Sequence, residues 1–494
     1  MQVVLGADVG THGVRIVALN TKNQIAASGS RDYQRRQSHG RQEQEAGDWW
    51  QAFLLALKDT LAQLPPGAEL LGLGVTHQRG TVVPVDGQGT PVRLALCDSD
   101  ERSAAVLDEI KEVCGAQRYY NTTGCPVVPF NGLTKILWCK KNEPEVFARA
   151  RYWLSPQDYI LTKLGGRPAG SQGSALRNGV LDIRHWSLAA DLLKELGLSE
   201  RLFPPLVPTG REAGRVSREA ARAASLPAGL PLIAVPGDQP CAVIASGALA
   251  RDSLAINLGS SFVVSKILTH PTFDPQCLAT LEIVTGDLYA LEFGTGAGGL
   301  FIDWFMKLTH KGLLPREKEV WQEFDQIAGT IAPGAEGLRV VPLLWHALLP
   351  GACNGIYNIK EWHGQGHLFR AVLEGLAMEA RLAVDRLEDI SGVKAAAIRV
   401  FGGGSQLETL LVILAAATNT RVVTTSCHQM SALGAALVTA TSLGVYPGLA
   451  EAVQVFVREE KPFIPRPPEV DFYRGFYNLY REERERYGGG ARCG

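Results

Sequence analysis

The sequence predicts an α/β fold built from two related domains, and three observations carry that prediction. Apolar runs of strand length alternate with stretches whose apolar residues recur at helical spacing. The segment LGADVGTHGVRI from Leu5 returns as LAINLGSSFVVS from Leu254, close to half the chain later. A third apolar strand, in AAIRVFGGGSQLETLLVILAAATNTRVV, ends in glycines and runs into a helix.

In the repeated segments Asp8 aligns with Asn257, Gly10 with Gly259 and Thr11 with Ser260. Both read as strand, glycine–hydroxyl turn, strand. The offset predicts one domain over 1–248 and a second over 249–494. The 494-residue length agrees, since a domain usually takes roughly 100–200 residues.

The elements follow in order. QVVLGADVG, VRIVALN and QIAASGSRDY are strands, and EAGDWWQAFLLALKDTLAQL is an amphipathic helix. LLGLGVTHQRGTVVPVDGQGTPVRLAL returns to strand, with VDGQGTP as a turn between two apolar runs. PLIAVPGDQPCAVIASGALA is a strand that breaks at Pro236-Gly237 and continues as a small-residue helix from Asp238. QMSALGAALVTATSLGVYPGLA is long and uncharged. Its Ala, Gly, Ser, Thr and Pro content fits a tightly packed interior helix better than a membrane span. EVDFYRGFYNLYREERERY has aromatics at helical spacing and reads as a helix packed on the core.

Composition narrows the function. Apolar residues make up 46% and charged residues 20%, as in a soluble globular protein, and the formal net charge is −1. That charge excludes a general polyanion-binding surface, so nucleic acid is not an expected partner. Nine scattered cysteines without a CxxC pair fit reduced thiols and a cytoplasmic location. The N-terminus lacks a basic region and Asp8 interrupts its apolar run, so no signal peptide is expected.

There is no GxxxxGK[ST], GxSxG or HExxH. His363 and His367 in HGQGH are separated by glycines that argue for a loop rather than a helical metal pair. Asp238 stands at a strand end before a helix. It can be a helix cap, or a general base taking a proton from a hydroxyl nucleophile. THQRGTV (Thr76–Val82) and CDSDER (Cys97–Arg102) are polar clusters at strand ends, suited to a polyol or to surface salt bridges. The glycines after AAIRVF bring backbone N–H groups and a helix N-terminus to one point, which suits an anion or nucleotide, or simply ends the strand.

Taken in order, GADVGTHGVR, GVTHQRG with DSDER, VPGDQPCAVIASG, INLGSS and RVFGGGSQ…TNTRVV…SALGAAL resemble the FGGY family of carbohydrate kinases, over nearly the whole chain. The resemblance implies two actin-like, ribonuclease H-like ATPase domains around a central cleft, and phosphorylation of a sugar or polyol by ATP with Mg²⁺. It implies that Thr11, His12 and Gly13 meet the ATP phosphates, with Arg15 adding charge or serving only as an exposed-strand arginine. Asp8 would orient the metal through water. Gly259 and Ser260 would meet the phosphates from the other domain, Gly299 and Gly402–Gly404 the nucleotide. Trp304 is expected to be a buried structural residue. Asp238 would be the base and, with His77, Gln78, Arg79 and Asp100, would hold the sugar.

The substrate is where the pattern departs. Xylulose kinases typically show Met-His-Gly, and glycerol kinases Asn-Gln-Arg-Glu, where this chain has His77-Gln78-Arg79-Gly80. Phe130 stands where glycerol kinases use a tyrosine, Asp98 replaces a usual Trp, and Leu407-Glu408 replace an Asn/Pro-type pair. The expected substrate is a small sugar, a ketopentose such as xylulose. The alternatives are another polyol (glycerol, a tetritol), a sugar-derived signal molecule, or a non-catalytic sugar sensor. An actin-like ATPase without a sugar is the other rival. ATP and the sugar are the expected partners, without nucleic acid or membrane. A homodimer is left open.

Overall fold

The computed structural model describes residues 1–22, 24–286, 288–309, 318–343, 354–425 and 429–488. Their contacts divide into two units. One comprises Met1–Gly247, Leu268–Ala290 and Gln429–Val457; the other Ala248–Ile267, Leu291–His428 and Arg458–Gly494. The chain therefore leaves the first unit at Gly247 and returns to it twice.

The first unit is organised on one sheet. β1 (Gln2–Val9) and β2 (Gly13–Asn20) form an antiparallel hairpin, and β3 (Ile25–Asp32) pairs antiparallel on its outer side. β4 (Glu69–His77) lies parallel to β1. β5 (Glu212–Arg215) and β6 (Pro231–Ala234) complete the order β5-β6-β4-β1-β2-β3. Val3, Val4, Leu5, Ala7 and Val9 are all buried, as the near-continuous apolar run of a strand covered on both faces requires.

Helix α1 (Ala46–Ala62) covers one face through Trp49, Phe53, Ala56 and Leu57, whose helical spacing is the amphipathic pattern read from the sequence. The helix Met430–Ser442 packs on β1 and β4. It approaches so closely that a Cβ on Gly6 would lie 2.1 Å from Ala432 O, and one on Gly74 2.1 Å from Thr439 Oγ1. Small residues are what this contact demands. The uncharged segment is thus an interior helix. Among the described residues no helix is long and apolar enough to cross a membrane.

The second unit repeats the motif. Ser253–Leu258 and Phe262–Leu268 form the antiparallel hairpin, and Ala397–Phe401 runs parallel to the first of them. Arg421–Thr425 pairs parallel beyond it and Glu459–Phe463 antiparallel beyond that. The strand–glycine turn–helix read near the end is Ala397–Phe401, a 3₁₀ turn at Gly403–Gln406, and Glu408–Thr418. The closing helix Pro467–Gly488 buries Tyr473, Tyr477 and Tyr480. The Tyr473 and Tyr480 hydroxyls each donate at 2.8 Å, to the buried Glu374 and Glu379 of the helix Gln365–Ser391.

Candidate active site

β1 ends at Asp8 and Val9, and the chain turns back within Gly10–Gly13, closed by the Gly10 N–H to Gly13 O bond at 3.0 Å. A Cβ on Gly13 would lie 2.4 Å from Arg31 O, so only glycine fits where β2 begins. The turn is held from outside by Tyr33, whose hydroxyl donates to Gly10 O, and by Gln44 Nε2, which donates to Thr11 O at 2.7 Å. Thr11 is half-buried and His12 exposed. Arg15 Nη2 pairs with Asp32 at 2.7 Å on the strand surface, in keeping with the exposed-strand reading of that arginine.

Asp8 Oδ1 is buried with no hydrogen-bond partner. Burial, reinforced by the nearby charge of Asp238 and opposed by Arg15, lifts its carboxyl to about 7. An orphaned carboxylate oxygen within electrostatic reach of a second carboxylate suits a divalent cation.

Asp238 is the first residue of α2 (Asp238–Ser246), with Gly237 as the N-cap. Its Oδ1 accepts from Arg79 Nε at 3.0 Å and from the Gln239 N–H at 2.8 Å. The side chain is 34% exposed. Withdrawal from water raises its pKa, and the Arg79 guanidinium opposes that rise. The cap and base readings of Asp238 share this geometry, because helix-end bonds fix one oxygen and leave the other.

His77 closes β4, fully enclosed, with Nε2 3.4 Å from Ser174 Oγ and Nδ1 without a partner. Gln78 Nε2 donates to Gln44 Oε1 at 2.5 Å, and its Oε1 is buried and unpartnered. Gly80 has φ +73°, and a Cβ there would lie 2.0 Å from Phe130 O and 3.6 Å from Asp98 Cβ. Asp100 is less available than its motif suggested. Its Oδ2 accepts from the Gln42 N–H at 2.9 Å and from Arg102 Nη2 at 2.7 Å, and its Oδ1 from the Arg102 N–H and Nε.

Burial, with help from Arg79, pushes the His77 imidazole down from 6.5 to about 3. The folded state holds the ring neutral, whereas the unfolded chain takes up a proton below about 6.5. Its contribution to stability is therefore complete above that pH and falls as pH drops toward 3. Nitrogen-resolved NMR should find a neutral His77 ring at about pH 5. A ring titrating near its ordinary value would refute the enclosure.

In the second unit, Gly259, Ser260, Gly299, Gly403 and Gly404 line one pocket of about 310 Å³. The helix Gly299–Thr309 docks on the hairpin turn, Gly299 N–H to Gly259 O at 2.9 Å and Leu300 N–H to Ser260 O at 3.0 Å. Gly402, at φ +90°, has no room for a Cβ, which would lie 2.7 Å from Asn257 Oδ1. Leu407 is buried in the lining, while Glu408 turns away to Lys461 at 2.6 Å. Leu258, Asp303, Trp321, Gln322 and Gln406 complete the wall, and sequence reasoning missed all five. Trp304 is corrected: it is 42% exposed, because the helix buries Phe301, Ile302, Phe305 and Met306 and turns Trp304 outward with Leu300 and Leu308.

His363 Nδ1 and His367 Nδ1 accept the Lys360 and Gly364 N–H groups, at 3.0 and 3.1 Å, where the chain turns into the helix Gln365–Ser391. No cluster of three or more metal-ligating side chains occurs among the described residues. Sequence reasoning also missed Glu282, on the strand Thr280–Thr285, which pairs with Arg79. Its signal was a lone carboxylate inside the apolar run TLEIV.

Comparison with known proteins matches residues 3–245 to "FGGY family of carbohydrate kinases, N-terminal domain" and residues 254–443 to the corresponding C-terminal domain. The chain is 26% identical over 502 aligned residues to a xylulose kinase of Lactococcus lactis, covering 98% of this chain and 96% of that protein. It is 29% identical to the L-fuculokinase of Escherichia coli K12, over 82% of this chain and 85% of the relative. Among solved structures, the ligand-bound xylulose kinase of Lactobacillus acidophilus superposes with a TM-score of 0.91 at 22% identity, covering 99% of both chains. That likeness shows a fold shared over essentially the whole of both chains.

Proposed function

The chain belongs to the FGGY family of carbohydrate kinases, and from that premise we propose that it transfers the γ-phosphoryl group of ATP to a hydroxyl of a small neutral sugar, a ketopentose of the xylulose type. The observation that carries this reading is Asp238: a carboxylate of raised basicity, steered by Arg79, within electrostatic reach of the orphaned Asp8.

The chemistry follows from the bonds. Both described hydrogen bonds to Asp238 fall on Oδ1, so Oδ2 takes the proton of the attacking hydroxyl. The oxygen–phosphorus bond forms as the bond from the γ-phosphorus to the ADP oxygen breaks. Turn N–H groups at Thr11, His12 and Gly13, and at Gly259 and Ser260, would meet the phosphates, while Gly299, Gly403 and Gly404 line the nucleotide pocket. Asp8 would hold Mg²⁺, which when bound neutralises charge on the transferred group. We assign 1–248 to sugar binding and the first phosphate hairpin, 249–494 to the nucleotide apart from Leu268–Ala290 and Gln429–Val457, which belong to the first unit, and a cytoplasmic location to the enzyme.

The sugar class follows from the atoms left open. His77 Nδ1 and Gln78 Oε1 are buried without hydrogen bonds, and Asp98 Oδ1 has only Arg35 Nη2, at 3.7 Å. Neutral imidazole and amide oxygens, with a carboxylate, ask for hydroxyl donors and repel an acid. Glycerol is disfavoured, since Gly80 has no room for the glutamate expected of glycerol kinases. ADP release from MgATP, measured across ketopentoses, ketohexoses, tetritols, glycerol and aldonates, should rise with a ketopentose. A response to an aldonate alone, or ATP turnover indifferent to every sugar, would sink the proposal.

A further inference from the structure

Glu282 lies on the strand Thr280–Thr285 of the first unit and is 1% exposed. Its Oε1 pairs with Arg79 Nη1 and lies 3.6 Å from Arg177 Nε. A buried carboxylate is costly unless cations surround it, and here two arginines do. Arg79 reaches in the other direction through Nε, to Asp238 Oδ1 at 3.0 Å. Its stem is confined as well, because a Cβ on Gly237 would lie 2.5 Å from Arg79 Cδ and 2.6 Å from Cγ. The arginine therefore lies flat across the residue before Asp238, with its head gripped by Glu282.

We propose that Glu282 is a positioning residue of this kinase: it clamps Arg79, and through Arg79 it fixes the direction of the Asp238 carboxylate. The inference rests on reading Asp238 as the base. Two guanidiniums and two carboxylates balance in charge. Without Glu282, Arg79 loses the carboxylate that holds its Nη1, its Nε shifts away from Asp238 Oδ1, and the Asp238 carboxylate is left misdirected.

The test is a kinetic cycle on the full chain with the sugar that supports ADP release. Glu282→Ala should lower kcat by about 10-fold or more, with the KM for MgATP within about 2-fold. Glu282→Gln, which keeps the shape and an acceptor oxygen, should lose less and serves where the alanine variant folds poorly. If Glu282 acts through Arg79, adding Glu282→Ala to Arg79→Ala should change kcat by less than about 2-fold. Losses that multiply in the double variant would overturn the clamp. A crystal structure of Glu282→Ala decides independently of activity: Arg79 displaced from Asp238 Oδ1 supports the clamp, and Arg79 unmoved refutes it. A displaced Arg79 in a protein silent toward every sugar would uphold the clamp and sink the functional reading alone.

Discussion

Asp238→Ala lowers sugar-dependent ADP release by about 10²–10⁴-fold, the range a general base usually carries. In the proposed mechanism Oδ2 receives the hydroxyl proton, since both described hydrogen bonds to Asp238 fall on Oδ1. The fold should survive. Gly237, not Asp238, is the N-cap of α2, the Asp238 side chain is 34% exposed, and Arg79 keeps Glu282 as a partner. Asp238→Asn retains an acceptor for Arg79 and loses only the basicity, so it should be nearly as inactive. A rate above about a tenth of wild type in either variant, measured with saturating MgATP, would remove Asp238 from the role of base.

Gly434→Ala destabilises the first unit by about 3 kcal/mol, and Gly434→Leu prevents folding to soluble protein. A Cβ at Gly434 would lie 1.9 Å from Cys241 O and 2.5 Å from its carbonyl carbon. These are backbone atoms of α2, which a rotamer change cannot move. The helix Met430–Ser442 cannot retreat either, because Gly6 and Gly74 seat it against β1 and β4. The measurement is a urea unfolding midpoint for the first transition. Gly87→Ala is the control: a Cβ there meets nothing within 4 Å, so its midpoint should match wild type. Equal midpoints for both variants would refute the close helix contact.

Much of the site was legible because hairpin turns are local. LGADVG and LAINLG are apolar runs that stop at glycine, and backbone sterics at Gly13 and Gly402 allow no other residue. Asp238 was legible in the same way, as a carboxylate placed where a strand breaks into a helix. Trp304 was misread because an aromatic beside other apolar residues looks interior until the helix phase is known. The phase puts Phe301 and Phe305 inward and Trp304 out. Asp100 was read as one of the residues that hold the sugar, and in the structure its motif neighbour Arg102 bonds both its oxygens.

The sequence by itself determined the two-domain α/β architecture, the paired hairpins, the glycines that line the pocket of the second unit and the candidate base. Each depends on periodicity or on turn chemistry within a few residues, where the backbone permits few alternatives. Only the tertiary structure decided which groups are free and which are engaged. Glu282 reaches Arg79 across 203 residues, from a segment that rejoins the first unit. Burying a charge requires a counter-charge, yet nothing local dictates where along the chain that partner must come from.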